Sequence, residues 1–134
     1  MEIHDRENGL VLDEDRGLAE VVPAESLERA RRASRAAVLR RASGSWDAAL
    51  DSDVARGGFG LLILEGLLVR RVGVDGRFGA ELLAAGDLLR PWEHDGELGT
   101  LPFDTAWRIV APARLAVLDL RWVERMAGFL KRVG

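Results

Sequence analysis

Between residues 57 and 120 the chain breaks into short apolar runs separated by Gly, Asp and Pro, at intervals of about 8–12 residues. This punctuation restricts it to a small antiparallel roll, barrel or sandwich. The run Gly60-Leu61-Leu62-Ile63-Leu64 meets Glu65-Gly66, where a tight reversal is expected. Leu67 to Val74 then meets Asp75-Gly76, a strong hairpin signal, and residues 77–83 lead to another turn at Gly86-Asp87. Two further strands are expected at residues 107–111 and 114–118, reversing at Pro112.

A chain of 134 residues with 48% hydrophobic content suffices for one domain with a single core. It contains no Cys and two His, which removes disulfides and thiolate sites and leaves few ligands for a metal. The net charge of −3 argues against the chain as a whole being a nucleic-acid binder. The polar, acidic N-terminal residues do not read as a signal peptide, and no apolar run approaches the ~20 residues that span a bilayer. A cytoplasmic protein is the expectation.

The flanks divide the chain into an N-terminal arm (1–22), a helix and connector (23–56), the roll (57–119) and the start of a second helix (120–134). Pro23, Glu25 and the apolar series Leu27, Ala30, Ala33, Ala37 and Val38 predict a helix from Pro23 to about Ser43-Gly44. Arg29, Arg31, Arg32, Arg35, Arg40 and Arg41 then form its solvated face. Trp46 is expected to anchor the connector to the core. After Asp119, the series Leu120, Val123, Met126, Ala127, Leu130 and Val133 falls on one helical face that needs a partner, either the roll or a second copy.

Chemistry-bearing residues are sparse. The longest loop inside the roll runs from Trp92 to Asp104 and is the natural wall of a ligand site. It carries His94 between Glu93, Asp95 and Glu97, acidic residues whose ordinary role on such a loop is solvation. Trp92, Phe103 and Trp107 flank it as core or pocket aromatics. Gly57-Gly58-Phe59-Gly60 precedes a strand rather than a helix, so it is no phosphate loop. No catalytic constellation and no metal site are expected.

Four segments together resemble the cyclic-nucleotide-binding β-roll of the Crp/Fnr (catabolite activator) family of bacterial transcription regulators. They are Gly66-Leu67-Leu68-Val69-Arg70-Arg71, Asp75-Gly76-Arg77, Glu81-Leu82-Leu83-Ala84-Ala85-Gly86-Asp87-Leu88-Leu89, and the run from Ala106-Trp107 to Val117-Leu118. The resemblance covers residues 57–134. It implies a mainly β chain with flanking helices, built as a double-stranded β-helix of jelly-roll type, and a sensor domain that works as a homodimer through Val123, Met126, Leu130 and Val133.

It also implies a cyclic-nucleotide site at Arg90, Trp92, Glu97, Thr105 and Arg108. Thr105 falls on the family's Ser/Thr position and Asp104 on its arginine. A carboxylate there repels the phosphate that the arginine should grip, so Arg90 or Arg108 must substitute or the ligand must differ, and no cofactor is expected. The helix-turn-helix that reads DNA in this family does not follow before Gly134, leaving a stand-alone roll or part of a longer regulator. The alternatives are a small cupin-like enzyme, weakened by the single His in the β region, and a protein-interaction module using the Arg-rich helix.

Overall fold

The computed structural model describes residues 7–48, 51, 58–74, 76–91 and 103–129. Seven strands form one antiparallel sheet: β1 (Glu7–Leu10), β2 (Arg35–Arg41), β3 (Gly44–Trp46), β4 (Gly60–Val74), β5 (Arg77–Ala84), β6 (Leu88–Leu89) and β7 (Phe103–Leu118). Four short helices accompany it, α1 (Val11–Glu14), α2 (Arg16–Ala19), α3 (Leu27–Ala33) and α4 (Leu120–Met126). The sheet order is β1-β2-β7-β4-β5, with β3 beside β7 and β6 beside β4. The expected mainly β chain with flanking helices is therefore present. Strands β1 to β3, which precede residue 57, belong to the same sheet as the rest.

The axis of the sheet is the pairing of β4 with β7, 15 and 16 residues long. Neither Glu65-Gly66 nor Pro112 is a turn. Both lie inside these strands, on a line where the register slips between Ile63↔Leu115 and Leu68↔Ile109. The sequence signals were genuine, but they mark a bulge. Pro112 has no N–H for the ladder, so mid-strand it needs such an irregularity. Gly66 holds φ +113, and a Cβ there would lie 2.7 Å from Ala113 Cα and Pro112 O. Arg114 beside this line reaches Glu14 of α1 at 2.8 Å.

The slip decides which side chains share a face. Side chains alternate along a strand, so one extra residue exchanges the faces. Leu61 and Ile63 before the slip, and Leu68 after it, consequently join Ile109, Leu115 and Val117 in one buried cluster. That cluster is packed strand against strand, and no described helix contributes to it. On the opposite face Leu62, Ala116 and Leu118 pack against Val11, Leu12, Ala30, Trp122 and Met126 from the helical layer.

The helix expected from Pro23 to Ser43 is corrected. A 3-10 turn (Ala24–Ser26) leads into α3, which stops at Ala33, and β2 follows directly. Ala36 and Val38 are buried on one side of β2, a period of two that the arginine-rich helical pattern hid. Ser34, fully buried, makes the junction: its Oγ donates to Arg31 O (2.6 Å) and accepts from Leu12 N (3.2 Å). Its carbonyl accepts the Trp122 indole N–H at 3.0 Å. Arg31 also pairs with Asp13 at 2.7 Å, and that hydrogen bond and charge raise its pKa further.

The hairpin between β4 and β5 and the turn at Gly86-Asp87 form as expected; Asp75 itself lies outside the described residues. Val74 pairs with Arg77 across the first, and Asp87 N donates to Ala84 O at 2.9 Å in the second. The N-terminal arm becomes β1, paired with β2, followed by α1 and α2. Helix α4 begins at Leu120, capped by Asp119 Oδ1 on Trp122 N at 2.9 Å. Its inward face is Trp122 and Met126 with Val123 packed alongside, while Leu120 is 61% exposed. Met126, assigned to a dimer stripe, is fully buried inside its own chain, and Leu130 and Val133 lie outside the described residues. Among the described residues no helix is long and apolar enough to cross a membrane.

Two substitutions test this account. Gly66→Ala is expected to cost roughly 2–4 kcal/mol, through strain and a backbone collision. Gly76→Ala, with φ +77 but open space around it, is expected to cost about 1 kcal/mol. Denaturant titration of both checks the difference. Ser34→Ala strands the buried Leu12 N–H and is expected to cost about 1–3 kcal/mol in the same measurement.

Candidate functional site

Four adjacent strands place one residue each in a single row: Trp46 of β3, Trp107 of β7, Arg70 of β4 and Glu81 of β5. The row exists because β4 has already exchanged its faces at the bulge, bringing Arg70 beside Trp107. The two indoles meet edge to face at 5.9 Å and 70°. The Arg70 guanidinium lies 5.8 Å from the Trp107 ring centroid, and its Nη2 donates to Glu81 Oε1. A cation over an indole face is attracted by the ring quadrupole. Arg70 Nε is buried and makes no hydrogen bond.

Trp46 is fixed from behind. Its Nε1 donates to Asp51 Oδ2 at 2.8 Å, and Asp51 receives Arg41 Nε and Nη2 at 2.7 and 2.8 Å. A two-pronged guanidinium–carboxylate pair sets direction as well as distance. The connector's tryptophan thus anchors to the core, as expected, and is 8% exposed.

Beside the indoles opens a pocket of about 310 Å³, walled by Ser45, Trp46, Asp47, Pro91, Thr105 and Trp107. Its lining residues are two tryptophans, Ser45, Thr105, Asp47, Pro91 and two alanines, and no Arg, Lys or His lines it among the described residues. Pro91 and Thr105 sit at either end of the segment 92–102, the loop that the sequence marked as a pocket wall.

Of the expected site residues that are described, Thr105 alone is on this pocket. Arg90 is exposed, with its Nε on Phe59 O at 2.8 Å and its guanidinium 5.8 Å from the Phe59 ring centroid, a ring that stacks on Trp122. Arg108 is exposed and neighbours Trp107 along the strand, hence on the opposite face. Neither supplies a cation to the pocket. Trp92 and Glu97 lie outside the described residues, as do His94 and the side chain of Asp104. Among the described residues no three His, Asp or Glu side chains converge as metal ligands.

Sequence reading missed Asp47 and gave Trp46 a packing role only. The available signal was Ser45-Trp46-Asp47 itself, a large aromatic between two polar residues at strand period, which puts the polar pair on the other side of the backbone from the buried ring.

Asp51→Ala removes the group that aims Trp46 and leaves Arg41 short of a carboxylate. The expected loss is about 2–3 kcal/mol, accompanied by a weaker near-ultraviolet circular dichroism signal from the indoles. No family model, no curated protein and no solved structure matches this chain.

Proposed function

We propose that the chain is a ligand-sensing, non-catalytic domain, a β-roll of the double-stranded β-helix type found in Crp/Fnr regulators, whose ligand occupies the Trp46–Trp107 pocket. The observation that supports this reading is the lining: two indoles at 70° to each other, Thr105, Ser45 and Asp47 around them, and no described cation. A pocket of a few hundred Å³ with apolar walls and a few polar groups suits a small organic molecule.

The charge of that lining selects among ligands. A cyclic phosphate brings a full negative charge and needs guanidinium or clustered N–H donors, whereas here it meets Asp47. The ligand is therefore an uncharged or cationic planar molecule, held by stacking and one or two hydrogen bonds. The site keeps the place of a cyclic-nucleotide pocket and changes its ligand. Occupancy is handed on through α4, which leaves the sheet at Asp119. A homodimer would use the exposed side of α4, where Leu120 lies, because Met126 is committed to the core. The working compartment is the cytoplasm.

Calorimetric titration with cyclic AMP and cyclic GMP tests the selection. No saturable heat is expected up to millimolar nucleotide. A cationic indole probe, tryptamine, is expected to quench tryptophan fluorescence saturably, and to lose that effect in Trp107→Ala. Micromolar binding of either cyclic nucleotide, or tryptamine quenching unchanged in Trp107→Ala, overturns the proposal.

A further inference from the structure

A second cleft, of about 430 Å³, opens where α3, β1, β2 and α4 meet, and four arginines line it: Arg32, Arg35, Arg121 and Arg125. They come from two directions, Arg32 and Arg35 from the junction of α3 with β2, and Arg121 and Arg125 one helical turn apart on α4. The sequence had placed Arg32 and Arg35 on one helix, as part of a solvated face. The change of element at Ser34 turns them toward α4.

Part of this positive charge is uncompensated. Arg125 is fastened through Nε to Ala33 O (3.1 Å) and Nη2 to Arg35 O (2.6 Å), neutral acceptors that fix its direction and leave its charge. The side chains of Arg35 and Arg121 are exposed and make no hydrogen bond or ion pair among the described residues. Arg32 shares Glu28 at 3.1 Å. The single carboxylate in the lining, Asp119, already accepts the Trp122 N–H. Four guanidiniums stand against Asp119 in the lining and Glu28 beside Arg32, a local positive surplus in a chain whose net charge is −3.

We propose that this cleft binds a small oligophosphate, bridging the α3–β2 junction to α4. Guanidinium forks match phosphate oxygens in pairs, and arginines arriving from two sides are satisfied together by a ligand with more than one phosphate. The four arginines gather around one cleft, whereas a nucleic-acid backbone would call for a longer basic stripe. This site is separate from the tryptophan pocket and does not depend on its ligand.

The test is calorimetry with inorganic pyrophosphate at about 0.15 M KCl, where long-range attraction between exposed charges is screened, on the parent chain, Arg35→Gln and Arg121→Gln. Both side chains are exposed, so neither substitution disturbs the core. One-to-one binding is expected, weakened on the order of tenfold in each variant. Absence of saturable heat, or an affinity unchanged in both variants, overturns the proposal.

Discussion

The structure depends on one slip of register. β4 and β7 are too long to lie flat as an ideal ladder, and Pro112 denies β7 a donor near its middle. The chain answers with an irregular stretch at Gly66: between Ile63↔Leu115 and Leu68↔Ile109 β7 runs one residue longer than β4, and at Gly66 the backbones approach too closely for any side chain. Along β4 everything beyond that line has its faces exchanged, while β7 keeps Trp107, Ile109, Ala113, Leu115 and Val117 on one face. Without the exchange, Leu68 and Arg70 would point away from Ile109 and Trp107, and the buried strand-on-strand cluster would end at Ile63.

Both candidate sites follow from such junctions. The tryptophan pocket lies at the end of the row that the bulge creates, and the pair Arg41–Asp51 holds its outer indole. The arginine cleft follows from the abrupt passage of α3 into β2, with buried Ser34 tying α1, α3 and α4 to the same point. The two differ in sign. One is lined by two tryptophans and Asp47, the other by four arginines, so the ligands proposed for them differ in charge.

Much of the β architecture was legible because turn chemistry is local. Gly76 and Gly86 hold backbone conformations that few residues adopt, and the chain turns at both where expected. Glu65-Gly66 and Pro112 carry the same residue types, yet a bulge and a turn use one vocabulary, and only the partner strand distinguishes them. The arginine-rich stretch misled for a related reason. Ala, Leu and Arg favour a helix intrinsically, while β2 is a strand because β1 and β7 flank it. At the site, Thr105 was found from its place before Ala106-Trp107. Trp46 and Asp47 were passed over because they come from a strand distant in sequence, joined to Trp107 only by β3–β7 pairing.

The register itself is open to direct measurement by nuclear Overhauser contacts across the central strand pair. The account requires Leu68 beside Ile109 together with Ile63 beside Leu115, two pairings that cannot share one continuous ladder without the extra residue, and contacts from the Trp107 ring to both Trp46 and Arg70. Contacts between Leu64 and Leu67 flanking a reversal at Glu65-Gly66, with the Trp107 ring distant from Arg70, would contradict it and dissolve the tryptophan pocket with it.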